Sequence, residues 1–296
     1  MNTLRLVLTK LGRHWFRKFP TAANQKFLRD QFRKWCVAED LLTWTKEGFW
    51  MRVSPHNYNT YEIYFLGWYD FYLTTWMKAH VPEGGVCWDI GAAEGWFTLL
   101  MGRLVGSSGR VDAFEAFPAN YRKLQENIEL NDMFWTHVNN IAISNYCGTA
   151  WFVPPSDDIT HHLKYVEDNS GVGYLTVQER VLGSIEVPVT TLDSYTEVNR
   201  IARLDVIKMD IEGAEVAALQ GAQDTIRGFR PYIIVEYNRE ALRRAGTSIE
   251  ELSDLLDSYG YECYTFGRQL KRLRLESYYE RPDNEVVFNV YCYPRR

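Results

Sequence analysis

Val86–Gly95, VCWDIGAAEG, sets the reading of this chain, together with VDAFEAFP at Val111–Pro118. Val86–Ile90 is a short apolar run of the kind a buried strand needs. Gly91 and Gly95 punctuate a turn, and Trp96 opens an apolar helical pattern over Trp96–Leu104. A second buried run, Arg110–Glu115, ends in an acid twenty residues after Gly95. Strand, glycine turn, helix, strand and terminal acid follow one another as in a doubly wound α/β sheet that holds the sugar of a nucleotide-like cofactor.

The turn departs from the dinucleotide pattern G-x-G-x-x-G. Ala93 stands two residues after Gly91, and Asp89 stands two before it. A carboxylate there repels a pyrophosphate and attracts a cation. S-adenosylmethionine carries an ammonium and a sulfonium, so it fits better than a dinucleotide, and a nicotinamide-dependent oxidoreductase is disfavoured. The candidate contacts at the turn are Asp89, Gly91, Ala92, Ala93, Glu94, Gly95 and Trp96. Glu115 would accept the ribose hydroxyls, with Ala116, Phe117, Asn140, Ile141 and Ala142 around the adenine. Taken singly, a strand-end Asp is often only a helix cap; the joint pattern is much less ordinary.

Outward from this unit the alternation continues. Pro118–Asn131 reads as a helix with Pro118 in its first turn, and His137–Ile143 as a third strand. Thr149–Val153 and Glu186–Val189 bracket a polar insertion at 154–184. Val206–Met209, Tyr232–Glu236, Glu262–Phe266 and Val286–Cys292 supply four more strands. Ala214–Leu219 and Ser248–Tyr259 are helices, the latter stopped by Gly260. Residues 268–284 form a polar excursion. Upstream, residues 1–45 carry a helical pattern (Leu4, Leu8, Leu11, Trp15). Residues 48–66 suggest a hairpin turning at His56–Asn59, and Trp68–His80 a helix. The expected division is a helical and hairpin cap over 1–80 and a main domain over 81–296.

With 296 residues and 46% hydrophobic content, the chain can bury a large core. A net charge of −5 argues against a general nucleic-acid binder. The charge is uneven: residues 1–34 hold nine Lys/Arg against Asp30 alone. That segment could meet an anionic membrane surface or a second copy of the chain; the plainer reading is a solvated helix face. Its apolar run is broken by Arg5 and Lys10, unlike a secretory leader. Five scattered cysteines indicate neither a disulfide framework nor a zinc site, which fits a reducing cytoplasm.

Several motifs resemble the FkbM-type S-adenosylmethionine-dependent methyltransferases. These are D-x-G-A-x-x-G at Asp89–Gly95, FE-x-x-P at Phe114–Pro118, and Ala142-Ile143-Ser144 before Gly148. The most specific is Ile207-Lys208-Met209-Asp210-Ile211-Glu212-Gly213-Ala214-Glu215, followed by Ile233–Glu236. Gly67-Trp68-Tyr69-Asp70 resembles the family's G-x-Y-E entry, with Asp for Glu, and Ala93 stands where the family commonly has Asn. The likeness spans roughly 60–240. It implies a Rossmann-like class I methyltransferase sheet of seven strands, the last antiparallel. It also implies methyl transfer to a hydroxyl, often on sugars or glycosylated natural products.

Methyl transfer to an alcohol needs a base opposite the methyl donor. Asp210 and Glu212 are the candidate base or hydroxyl orienter, Asp210 also neighbouring the cofactor, and Glu236 is a second substrate contact. Lys208 lies two residues from Asp210 on one strand face and reads more readily as an ion-pair partner than as a catalyst. His161 and His162 could act as bases if the insertion covers the pocket; Tyr165, Tyr174 and Gln178 are weaker sugar contacts. Asp210, Glu236 and Asn238 could hold Mg2+, a minority reading beside a metal-free site. The rival class is a catalytically silent scaffold that keeps the fold.

Overall fold

The computed structural model describes residues 12–15, 17–18, 40–53, 58–154, 173–176, 180–266, 269–279, 281–282 and 286–295. At its centre are β3 (Val86–Ile90), β4 (Arg110–Phe114), β5 (Thr136–Asn139), β10 (Val206–Met209) and β11 (Tyr232–Asn238), all mutually parallel. Next to β11 lies β14 (Val287–Pro294), antiparallel to it and to β12 (Tyr261–Phe266). The spatial order is therefore β5-β4-β3-β10-β11-β14-β12, with the last strand in sequence inserted antiparallel. This has the seven strands, the last of them antiparallel, that the sequence resemblance implies. An eighth strand, β13 (Leu270–Arg272), extends the edge beyond the seven expected. It was hidden because it is three exposed residues, two of them basic, with no apolar alternation.

The period of two decides which side chain enters which layer. Cys87, Val111 and Val206 face one core, with Trp76, Leu99 and Leu124 from the helices Phe71–His80, Trp96–Val105 and Pro118–Glu129. Trp88, Ile207 and Ile233 face the other, with Leu219, Leu252 and Leu256. Because both faces are covered, β10 is buried throughout, including Lys208.

The N-terminal expectation is corrected in two places. Leu41–Trp44 (β1) is a strand, not the end of a helix, and pairs with Trp50–Val53 (β2). The turn closes at Thr45–Phe49 around Gly48 (φ +83°), not at His56–Asn59. Tyr58–Leu66 is then a helix rather than a second strand. Ile63–Leu66 are all buried, so no polar face betrays the helical period. Arg17 ties this cap together by donating to Trp44 O, Thr43 Oγ1 and Tyr64 O. The expected third strand is also split. Asn140 donates to the carbonyls of Glu115 and Ala116, and Ala142–Ile143 (β6) leaves for a small sheet. There it joins Gly148–Val153 (β7), Tyr174–Thr176 (β8) and Ile185–Thr190 (β9).

Asn127 couples the hairpin to the glycine turn. Fully buried, it accepts the Arg52 N–H and donates to the carbonyls of Arg52 and Glu94. Asn127→Ala leaves these buried groups unpaired and is expected to lower stability by about 2–3 kcal/mol in urea unfolding. A neutral result would mean that the turn does not depend on the hairpin.

Among the described residues, no helix is long and apolar enough to cross a membrane.

Candidate active site

The carboxyl ends of β3 and β10 meet at the glycine turn. Asp210 N–H donates to Ile90 O, and the N–H groups of Gly91 and Ala92 donate to Phe114 O. Gly91 has φ +78°, and a Cβ placed there would lie 1.8 Å from Asp210 O. The close approach of the turn to the end of β10 therefore exists only because residue 91 has no side chain. Gly95 (φ +100°) opens the helix Trp96–Val105. Ala93 adopts φ +49° without being glycine. Asn tolerates that region better, so Ala93→Asn is expected to raise stability by about 0.5–1 kcal/mol in thermal unfolding. Lowered stability would show that a larger side chain meets its neighbours there.

Asp89 and Lys208 are cross-strand partners in the β3–β10 register. Asp89 is fully buried; one oxygen accepts the Thr98 hydroxyl at 2.6 Å, and the other lies 3.4 Å from Lys208 Nζ. Lys208 also donates to Gly91 O (3.0 Å) and lies 3.6 Å from Asp210. Burial pulls the Lys208 ammonium down, but Asp89 and Asp210 outweigh it and leave its pKa raised. Lys208 thus bridges the two strand ends as a fixed cation beneath the turn.

Glu115 directly follows β4, its oxygens accepting the N–H groups of Ala93 and Phe117, both at 2.8 Å. Burial pushes its carboxyl up to about 7, against the pull of those donors. Each oxygen keeps a second lone pair for a hydroxyl. Ala116 and Phe117 pack with the small sheet, where Phe117 stacks on Phe152 at 5.6 Å. Asn140, Ile141 and Ala142 border the same corner. Glu94 pairs with Lys123 on the helix Pro118–Glu129.

The second half of the site is acidic. Carboxylate oxygens of Asp210, Glu212 and Glu236 all lie within 4.8 Å of one another. Glu212 sits at φ +56° and Gly213 at φ +107°, a strained entry to the helix Glu215–Gln220. Glu215 steadies that entry by accepting from Ile211 and Gly213 N–H. Burial, then Asp210, pushes Glu212 up to about 8, and the same causes in the same order hold Glu236 well above the usual carboxyl range. Asn238 directs its amide NH2 at Glu212 and Glu236, while its oxygen caps the next helix at Ala241. That oxygen keeps a second lone pair, and Glu212 stands beside Asp210 and Glu236 as a further oxygen donor in the cluster. His161 and His162 lie outside the described residues.

Two further groups face this cluster and were not picked out as site residues. Asp70 caps the helix Phe71–His80 through Leu73 N–H and accepts from Asn289, the register partner of Glu236. Tyr69 is buried nearby, its phenol held above the usual range by burial first and by Asp210 next. Only the motif at Gly67–Asp70 signalled them. Beyond Asp70 opens a cavity of about 690 Å³ lined by Tyr72, Phe266, Lys271, Tyr278, Asn289 and Tyr291, among others. From the insertion, Tyr174 places its ring 4.3 Å from the Arg244 guanidinium, and Arg244 donates to Glu212 O.

The sequence pattern of a family described as "Methyltransferase FkbM domain" matches residues 89–263, more than half of the chain. Methyltransferase 1 of Beauveria bassiana (strain ARSEF 2860) is 27% identical over 169 residues, covering 53% of this chain and 66% of that protein. Methyltransferase sdnD of Sordaria araneosa is 29% identical over 166 residues, covering 49% and 63%. The matches thus span just under two thirds of the length of these curated relatives. Among solved structures, a methyltransferase FkbM from Methylobacillus flagellatus KT aligns at 17% identity, covering 72% of this chain and 44% of that one, with a TM-score of 0.45.

Proposed function

The chain belongs to the FkbM methyltransferase domain family, and from that premise we propose that it transfers a methyl group from S-adenosylmethionine to a hydroxyl of a sugar, a glycan or a glycosylated small molecule. The observation that carries this reading is the clustering of Asp210, Glu212 and Glu236 at the carboxyl ends of β10 and β11, directly beside the Gly91 turn. Ligands in doubly wound sheets bind at those ends.

The residues at the turn fit the cofactor. Gly91 lets the turn lie against the Asp210 carbonyl with no side chain between, and Asp89 Oδ1 is a buried carboxylate oxygen facing Lys208 Nζ at 3.4 Å. Glu115 would hold the ribose hydroxyls, with Phe117 and Asn140 beside the base. When bound, S-adenosylmethionine supplies an electrophilic methyl on a sulfonium. The protein places the acceptor oxygen and takes its proton. Glu212, with a pKa about 8, is matched to that task near neutral pH. Asp210 orients the hydroxyl while pinned by Lys208, and Glu236 accepts a hydrogen bond from the acceptor. The aromatic and amide lining beyond Asp70 offers ring faces and polar edges of the kind a sugar ring uses.

Calorimetric titration with S-adenosylhomocysteine is the first test, followed by transfer from labelled S-adenosylmethionine to hydroxylated acceptors, with and without added Mg2+. One-site micromolar binding and label in the acceptor as an ether are the expected results. Failure of correctly folded protein to bind would overturn the reading in favour of a silent scaffold.

A further inference from the structure

Cys263 in β12 and Cys292 in β14 stand directly opposite each other in the antiparallel register. The carbonyl of Cys263 accepts the N–H of Leu273, on the far side of its strand from β14. A strand residue directs its N–H and C=O to the same side, so the two cysteines form a non-hydrogen-bonded pair, the kind in which side chains come closest. Such pairs have Cα atoms about 4.5 Å apart, inside the range a disulfide spans. The two thiol sulfurs lie 3.2 Å apart. Cys292 is fully buried, and Cys263 is partly exposed.

We propose that Cys263 and Cys292 are a redox modification site, closing reversibly to a cross-strand disulfide with a small disulfide of the glutathione class as oxidant. The accessible Cys263 sulfur, as thiolate, attacks one sulfur of the oxidant and expels one glutathione thiolate. The Cys292 sulfur then attacks the Cys263 sulfur of the mixed disulfide and expels the second. Two protein S–H bonds are lost and one S–S bond forms. The two electrons and two protons end on two glutathione thiols.

The other described cysteines lack this arrangement. Cys87 faces the opposite core layer and is buried, and Cys147 is exposed, with Thr190 as its nearest side-chain partner. Cys147 would therefore stop at a mixed disulfide. The bond would join the two strands that also supply Thr265, Phe266, Asn289 and Tyr291 to the lining of the cavity. Oxidation would thus stiffen the β12–β14 side of the sheet and leave the glycine turn untouched.

The test uses the full chain, reduced, freed of reductant under inert gas, and equilibrated with glutathione disulfide. Free thiols are then alkylated, and the protein is digested and mapped without reduction. The expected result is a peptide pair joining residues 263 and 292, about 2 Da lighter than its reduced parts. Dithiothreitol should reverse it, and Tm should be higher in the oxidised form. Cys263→Ser should leave Cys292 alkylated and remove the Tm rise while Cys147 still takes up glutathione. Recovery of Cys263 and Cys292 as alkylated or singly glutathionylated peptides, with Cys147 modified in the same sample, would overturn the proposal.

Discussion

Gly91→Ala is expected to abolish detectable binding of S-adenosylhomocysteine and to lower stability by about 3 kcal/mol. Two costs add. The backbone at φ +78° disfavours any L side chain, and the new Cβ would stand 1.8 Å from the carbonyl oxygen of Asp210. Backbone is not the end of a flexible side chain, so β3 and β10 must separate. That shift pulls Lys208 from Asp89 on β3 and from the peptide it grips at Gly91 O. Gly246→Ala is the control. It shares a positive φ (+80°), but a Cβ there meets nothing within 4 Å. It should cost only the conformational part, about 1–2 kcal/mol, and leave calorimetric binding intact. Near-normal binding by Gly91→Ala would mean that the turn is not where the cofactor lies.

The glycine-turn half of the sheet was legible because its pattern is local. Asp89, Gly91, Gly95 and Glu115 fall within one strand–helix–strand unit, and a period of two, an apolar helix and a terminal acid can be read in order. The acidic half was legible in part. Asp210 and Glu212 lie in one short motif, yet their company depends on register. The principal counter-ion of Lys208 is Asp89, 119 residues earlier, set by pairing between two strands that no local pattern aligns. The same limit hid the bond from Asn289 to Asp70, which joins chain segments 219 residues apart. The N-terminal cap failed differently. In Tyr58–Leu66 the last four residues, Ile63–Leu66, are all apolar or aromatic, so the helical period does not show there, and β propensity pointed to a strand. The break at Asn140 and the exposed strand Leu270–Arg272 left no apolar signature at all.

Glu212→Gln is expected to lower kcat by about 10²–10⁴-fold, the usual worth of a positioned general base, with affinity for S-adenosylhomocysteine unchanged. An observed backbone outlier is a reason to look for function, and Glu212 is one: a non-glycine residue at φ +56° whose carboxylate is pressed against Asp210 and Glu236. As base it must be unprotonated, so the rate of the parent protein should rise with pH through about 8. Glu212→Gln should lose that rise. Stability should move the opposite way. A carboxyl raised from its ordinary 4.5 to about 8 binds its proton more tightly folded than unfolded. Its contribution is fully present below about 4.5 and fades as pH climbs through 8. Glu212→Gln removes that slope, so the variant should gain on the parent in urea unfolding as pH increases from 5 to about 9. Asp210→Asn separates the two roles, because it also takes a partner from Lys208 and should weaken cofactor binding as well as kcat. If Glu212→Gln retained both the rate and its pH profile, the proton would have to leave through another group, and Glu212 would be only a charge at the head of its helix.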